Sequence, residues 1–161
     1  MLRIAALVLT LLLAACATPQ GMKPGTSEAE VVAELGAPTS RSVTPGVGPR
    51  LLYSWQPYGW TVWAMQFDAT DRLISTAQML THDQFIRVRP GQQTEVDILR
   101  LFGPPAQRYS FHLIHETAWM YRFNDGVFKM AFWVQFDTRG VVTSTGITPD
   151  PWSERDGDRP G

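Results

Sequence analysis

The chain contains an internal repeat, which limits its fold to two small units of similar structure. A Pro-Gly pair begins each copy, with its glycine at Gly25 and at Gly91, 66 residues apart. Each pair is followed by an apolar helical pattern that ends in a second glycine, Gly36 or Gly103, 67 residues apart. A period of this length is typical of duplicated small units and not of a solenoid with many turns. We therefore predict one unit over residues 23–80 and another over residues 81–148.

Each copy is predicted to begin with a helix. Thr26 or Ser27 can cap the first one, and Glu30 stands three residues after Ser27 as in a capping box. Thr94 can cap the second, and a further short helix is predicted over residues 81–87. The apolar residues that share one face at helical spacing are Val31, Val32 and Leu35 in the first copy and Ile98, Leu99 and Phe102 in the second. A glycine followed by proline ends both patterns.

Three antiparallel strands are predicted after each helix. Alternating apolar runs place them at 51–56, 60–68 and 73–80 in the first copy and at 117–123, 127–136 and 141–147 in the second. An Asp-Gly pair at Asp125 and Gly126 joins two of these runs and is a strong hairpin signal. We therefore expect an α+β fold of two tandem units, each with one or two short helices packed on a three-stranded antiparallel sheet.

Strand periodicity divides the side chains between two faces of each sheet. In the first copy Trp63, Met65 and Phe67 should meet the helix, while Trp60, Val62, Ala64 and Gln66 should point the other way. In the second copy Phe128, Met130, Phe132, Val134 and Phe136 should meet the helix, while Lys129, Ala131, Trp133 and Gln135 should point the other way. We therefore predict that Trp60, Trp133 and Lys129 form a partner-binding surface away from the helices, because tryptophans are frequent anchors of interfaces.

The first residues have the pattern of a secretory signal. Arg3 precedes an apolar run of about a dozen residues, which is too short for a lasting transmembrane helix. The ending Leu-Ala-Ala-Cys resembles the lipobox of bacterial lipoproteins, and this resemblance implies a signal peptide over 1–15, lipidation of Cys16 and a tether over 16–22. Ala17 follows the cysteine in place of an inner-membrane aspartate, so we expect an outer-membrane anchor facing the periplasm. The alternative is a secreted protein with a free Cys16.

Composition argues against several classes of function. The formal charge of -1 does not favour a nucleic-acid partner, and the single cysteine excludes an internal disulfide. We find no catalytic set and expect no cofactor. His112 and His115 are three residues apart beside Glu116 in a segment without helical pattern, where this spacing separates the two rings, so no metal site is predicted.

Two polar features have structural interpretations. Asp68 and Asp137 occupy matching positions after a strand, where a carboxylate can accept backbone N–H groups of a turn. The charges, prolines and glycines of residues 149–161 predict a disordered tail. Its one apolar residue is Trp152, which can either fold back onto a sheet or serve as a short binding segment.

Several short motifs resemble the SmpA/OmlA (BamE-like) family of outer-membrane lipoproteins. They are Arg87-Val88-Arg89-Pro90-Gly91, Phe102-Gly103-Pro104-Pro105, Trp119-Met120-Tyr121 and the run from Phe136 to Val142. The tandem arrangement is also similar to β-lactamase-inhibitor-protein-like folds. The lipobox, the repeat and the lack of a catalytic set lead us to expect a non-enzymatic, lipid-anchored module that binds a protein partner. The resemblance implies a supporting role in outer-membrane protein assembly or envelope integrity, with the β-barrel assembly machinery as the partner. The alternatives are a module that binds lipid or a small molecule in an apolar groove, and an inhibitor of a periplasmic enzyme.

Overall fold

The computed structural model describes residues 17–111, 113 and 115–153. In its first half, a short 3-10 turn (Pro19–Gly21) lies within the predicted tether and precedes α1 (Glu28–Leu35), β1 (Ser40–Thr44), β2 (Gly48–Ser54), β3 (Val62–Phe67) and β4 (Leu73–Gln78). The second half contains α2 (His82–Phe85), α3 (Glu95–Phe102), β5 (Gln107–Phe111), β6 (Glu116–Asp125), β7 (Phe128–Phe136) and β8 (Val142–Pro149). Across these described ranges, no helix has both the length and the apolar character to cross a membrane.

The described strands form two four-stranded antiparallel sheets, in the orders β1-β2-β3-β4 and β5-β6-β7-β8. The predicted α+β fold with three strands per unit is therefore wrong, because the described part of the chain is mostly β and the α-helices found there are only 8, 4 and 8 residues long. The missed strands are β1 and β5, which pair with β2 and β6. Both are five residues long and largely exposed, so their sequences lack the apolar alternation of a half-buried strand.

The ends of α1 and α3 follow from local side-chain chemistry. Of the two candidate caps for α1, Ser27 is the N-cap, and the Glu30 carboxylate accepts from the Ser27 backbone N–H over 2.8 Å. At α3 the backbone N–H of Thr94 donates to the Asp97 carboxylate over 3.0 Å. Both helices end at a glycine with positive φ, 81° at one and 72° at the other. That conformation favours glycine, so the predicted ends of both helices are confirmed.

The described residues form two hydrophobic core clusters. The smaller one joins Val31 of α1 to Leu51, Tyr53, Met65, Phe67 and Leu73 of the first sheet. The larger one joins Ile98 and Phe102 of α3 to the second sheet, and it also includes Leu52, Val62 and Ala64 from the opposite face of the first sheet. The first sheet is therefore covered on both faces, by α1 on one and by the second half of the chain on the other. Val62 lies on the face opposite α1, and it is 0 % exposed, so this part of the face is covered and not open to solvent.

Corresponding residues of the two halves make the same contacts. The Tyr53 hydroxyl donates to the Gly36 carbonyl over 3.0 Å, and the Tyr121 hydroxyl donates to the Gly103 carbonyl over 2.9 Å. Each bond ties the end of a helix to the second strand of its sheet. Burial raises the pKa of both phenols, and Tyr121 is fully buried. The exact boundaries of the two units, at 23–80 and 81–148, stay predictions.

A half-buried arginine connects the first sheet to α3. Arg50 of β2 donates to the carbonyl oxygen of Arg100 and, over 3.5 Å, to that of Leu101. These carbonyls belong to the last turn of α3, where the helix dipole presents partial negative charge. Burial lowers the pKa of Arg50. The guanidinium therefore satisfies helix-end carbonyls of one half from a strand of the other.

Candidate functional site

The second sheet has one face on α3 and one face turned away from it. Trp119, Tyr121 and Phe132 pack with Phe102 of α3 in the larger core cluster. Because side chains alternate along a strand, their neighbours on β6 and β7 point to the opposite side. We call this opposite side the outer face. By strand register its members include Met120, Arg122, Lys129, Ala131, Trp133, Gly146 and Thr148.

A buried ion pair lies at one end of the outer face. Arg122 is 4 % exposed and Asp150 is 0 % exposed. The Arg122 Nε atom donates to an Asp150 carboxylate oxygen over 2.7 Å, and its Nη1 atom donates to the Pro57 carbonyl over 3.0 Å. Buried charges persist only when paired in this way, so the pair holds the chain just after β8 firmly on the sheet.

This ion pair orders part of the predicted tail. Asp150 donates its backbone N–H to the Lys129 carbonyl over 3.0 Å, and its carboxylate accepts from the Trp152 N–H over 2.9 Å. The Trp152 ring lies 5.1 Å from the Arg122 guanidinium carbon, so this tryptophan folds back onto the sheet. The disorder predicted from residue 149 is therefore wrong for residues 149–153, because one buried aspartate outweighs the polar composition around it. Residues 154–161 lie outside the described residues.

A glutamine from the first half covers an open edge of β6. Strand β5 begins at Gln107, opposite Met120, so the next backbone groups on that edge of β6, at Arg122, have no strand partner. The side-chain amide of Gln56 takes the place of the missing strand partner. Its Oε1 accepts from the Arg122 N–H over 3.1 Å, and its Nε2 donates to the Arg122 carbonyl over 2.8 Å. This contact brings the loop after β2, and with it Trp60, to the outer face.

Two of the three predicted partner-binding residues are in direct contact. The Lys129 ammonium lies 3.8 Å from the centre of the Trp60 ring, which is the geometry of a cation–π interaction. The Arg122 guanidinium carbon lies 4.8 Å from the same ring centre. Lys129 also donates to the Asn124 amide oxygen over 3.0 Å, but it forms no ion pair with any described residue. The exposed Lys129 therefore carries uncompensated positive charge above a fixed aromatic ring.

The third predicted residue, Trp133, lies on the same face. It is four residues from Lys129 along β7, about 13 Å at the rise of a β-strand. Its Nε1 donates to the Thr148 hydroxyl over 2.9 Å, and its ring is 5.5 Å from that of Tyr109. The opposite residue on β8 is Gly146, where a Cβ would have no heavy atom within 4 Å. The half-buried Trp133 ring is thus held in place beside open space.

Sequence reasoning missed Arg122, Asp150 and the role of Gln56. One signal was present, since Arg122 interrupts an apolar strand and has the parity of Met120, away from the helix-packed face. An arginine at such a position needs a nearby acid. The identity of that acid could not be read from spacing, because Asp150 is 28 residues away and Gln56 is 66 residues away.

The other candidate residues have ordinary structural surroundings. The Asp68 carboxylate accepts from the backbone N–H groups of Thr70 and Arg72, and Asp137 does the same for Arg139 and Val141, so the predicted turn role is confirmed. These bonds lower the pKa of both carboxyls.

Of the three histidines, His82 contacts Asp125 at the surface over 3.0 Å, and His115 is exposed. Within the described ranges no cluster of three or more His, Cys, Asp or Glu side chains could hold a metal ion. His112 and the predicted lipidation site Cys16 lie outside the described residues.

Comparison with known proteins adds little to this geometry. No family model and no curated protein matches the chain. One similar solved structure is a DUF4309 family protein, YjgB, from Bacillus subtilis, with 12 % identity over 78 % of this chain and 79 % of that one, at a TM-score of 0.32. This score is too low for the similarity to support a statement about fold or function.

Proposed function

We propose that the chain is a non-enzymatic, lipid-anchored protein-binding module of the bacterial outer membrane, and that it contacts its partner through the outer face. Cys16 would carry the lipid and place the module in the periplasm. The motifs shared with SmpA/OmlA lipoproteins support a role in outer-membrane protein assembly or envelope integrity, with the β-barrel assembly machinery as the partner.

One observation carries this proposal: Trp60, Lys129 and Trp133 lie on one surface and each is held by its neighbours. Fixed aromatic side chains lose little conformational entropy when they bind, and such residues supply most of the energy at many interfaces. The uncompensated charge of Lys129 favours an acidic group on the partner. A face of this kind suits a protein surface better than a catalytic reaction, for which the outer face has no nucleophile and base in contact among the described residues.

The test is recovery of partners from the native envelope. Full-length lipidated protein is isolated in mild detergent, and bound proteins are identified by mass spectrometry beside a Cys16→Ser control. Trp133→Ala should reduce partner recovery at least about tenfold, since central interface tryptophans contribute about 2 kcal/mol or more. Val43→Ala, at a 63 % exposed residue of β1, is the matched control and should have no effect.

The identity of the recovered molecules decides between the hypotheses. Enrichment of β-barrel assembly subunits that depends on Trp133 supports the proposal. Recovery of one periplasmic enzyme in their place indicates an inhibitor, and recovery of lipid without protein indicates a lipid-binding module. Undiminished recovery with a folded Trp133→Ala variant contradicts the role of the outer face.

A further inference from the structure

A second surface of the molecule is the free edge of the second sheet. β8 is the last strand of that sheet, so one side of its backbone has no strand partner in the described chain. The segment before α3 covers only its beginning: Gly91 N donates to the Val142 carbonyl over 2.8 Å, and Val142 N donates to the Gln93 carbonyl over 2.9 Å. From Thr143 to Pro149 the open side makes no backbone hydrogen bond with a described residue.

This edge lacks the features that usually protect an exposed strand. Charged side chains, prolines and bulges within a strand normally prevent another chain from pairing with it. β8 has eight residues, none of them charged, and its single proline, Pro149, stands at the end. The irregular pairing of β8 lies at its beginning, opposite Phe136. Its central part can therefore accept a further strand.

An apolar groove of about 300 Å³ lies beside the same edge, between α2 and β8. Ile86 at its rim is 72 % exposed and Ile147 is 38 % exposed. The floor is rigid because the buried Phe85 stacks on Phe132 with ring centres 3.9 Å apart. A strand added at the usual spacing of about 4.8 Å from β8 would place every second side chain against Ile86 and Ile147.

Two exposed arginines flank the groove residue Val88 in the sequence. Arg87 and Arg89 are exposed beside the groove residues Ile86 and Val88, and neither forms an ion pair with a described residue. Residues 82–89 contain these two cations and one aspartate, Asp83, while Asp125 contacts the groove residue His82 over 3.0 Å and β8 itself has no acidic residue. Charge complementarity therefore favours an acidic side chain on whatever binds here.

We propose that β8 and this groove bind an extended segment of a partner protein as an additional antiparallel or parallel strand. The partner's backbone would pair with the open side of β8, its alternate apolar side chains would cover Ile86 and Ile147, and an acidic residue would face Arg87 and Arg89. Strand addition of this kind draws affinity from backbone hydrogen bonds and specificity from alternate side chains. Its groove lies on the helix-packed side of the second sheet, where Ile147 pairs with Phe132. β8 also contains Gly146 and Thr148 of the outer face, but strand addition uses their backbone, so the proposal does not depend on the outer face being functional.

The probe is a phage-displayed library of random dodecapeptides, selected on the full-length chain and counter-selected on Ile86→Asp. The selected peptides should alternate apolar and polar residues and should contain an acidic residue. They should bind the unmodified chain at least about tenfold more tightly than Ile86→Asp or Ile147→Lys. Val43→Asp, a change at an apolar residue of β1 whose exposure of 63 % lies between those of Ile147 and Ile86, is the matched control and should retain binding.

Two further measurements distinguish strand addition from simple apolar contact. N-methylation of every second peptide amide should abolish binding in one register and leave it nearly unchanged in the other, because only alternate N–H groups face β8. Arg87→Glu combined with Arg89→Glu should weaken binding of the acidic peptides about tenfold. Lys129→Ala, an outer-face change whose side chain contacts Asn124 and Trp60 and not β8, should leave peptide binding unchanged, so failure of the outer-face proposal and failure of this one can be told apart.

Three outcomes would overturn the inference. The first is a selection that returns no peptide preferring the unmodified chain over Ile86→Asp. The second is binding that tolerates N-methylation in both registers. The third is concentration-dependent dimerisation that Ile147→Lys abolishes, which would show that a second copy of the chain occupies this edge.

Discussion

Arg122 places a positive charge at an almost fully buried position on the second sheet. Among the described residues its charge is balanced by Asp150, while Pro57 and the rings of Trp60 and Trp152 occupy the space around it. Its Nη2 atom has no hydrogen-bond acceptor among the described residues, so the guanidinium depends on few partners. Such a pair contributes little net stability when intact but is very sensitive to the loss of either member.

Removal of Asp150 should therefore be strongly destabilising. We expect Asp150→Ala to lower the free energy of unfolding by about 3–5 kcal/mol, because Arg122 is left buried and unpaired. The double variant Arg122→Met with Asp150→Leu should recover most of this loss. Urea unfolding followed by tryptophan fluorescence measures both. Equal losses in the single and double variants would show that the ion pair is not the cause.

The two tyrosines that contact helix ends permit a matched comparison. Tyr121→Phe leaves the Gly103 carbonyl without its partner in a fully buried site and should lower the free energy of unfolding by about 1–3 kcal/mol. Tyr53→Phe, at the slightly exposed equivalent position, should lower it by less. Thermal unfolding at neutral pH measures the difference. A larger effect at Tyr53 would contradict the expected dependence on burial.

Tyr121 should also make the stability of the protein sensitive to alkaline pH. Burial raises the folded-state pKa of Tyr121, so its contribution is present below the ordinary pKa of about 10 and is lost as pH rises above it. Stability measured from pH 8 to pH 11 should fall more steeply for the unmodified chain than for Tyr121→Phe. Parallel curves would show that Tyr121 does not contribute to this dependence.

At the scale of single elements, helices were more predictable than strands. The ends of α1 and α3 were readable because a polar cap, an acidic residue and a positive-φ glycine act within a few residues of one another. β1 and β5 were missed because they are stabilised by backbone pairing with the next strand and leave little pattern in their own side chains. Elements held by local chemistry leave a sequence signal, whereas elements held by pairing alone do not.

The two aspartate turns should contribute acid-dependent stability. Hydrogen bonds lower the folded-state pKa of Asp68 and Asp137, so their contribution is present at neutral pH and is lost as pH falls below about 4. Asp137→Asn should lower the Tm at pH 7 and flatten its decline between pH 5 and pH 2. The Tm of the variant and of the unmodified chain should converge near pH 2. A constant difference across this range would contradict the assignment.

At the scale of the whole molecule, the outer face was only partly predictable. Strand parity placed Trp133 and Lys129 on it correctly, because parity is a local property of β7. The contact of Trp60 with Lys129 depends on the Gln56 loop crossing from one half to the other, which no pattern within either half specifies. Strand parity can thus predict which residues of one strand lie on a given face. It cannot predict which residues of the other half come into contact with them.

Gln56 should be essential for this assembly. Gln56→Ala leaves the backbone N–H and carbonyl of Arg122 without partners and should lower the free energy of unfolding by about 1–3 kcal/mol. Hydrogen exchange of the Arg122 amide, measured by NMR, should accelerate at least about tenfold. Gln92→Ala, at an exposed glutamine, is the matched control and should change neither quantity. Unchanged exchange at Arg122 would contradict the role given to Gln56.

The core shared between the halves also has a consequence for the order of events during synthesis. Leu52, Val62 and Ala64 belong to a cluster whose other members come mainly from residues after position 80. Because the chain emerges N-terminus first, the first sheet can form before those later residues are present. One of its apolar faces is then uncovered. In the interval after β4 has emerged and before α3 has, this uncovered apolar surface favours aggregation and binding by a chaperone.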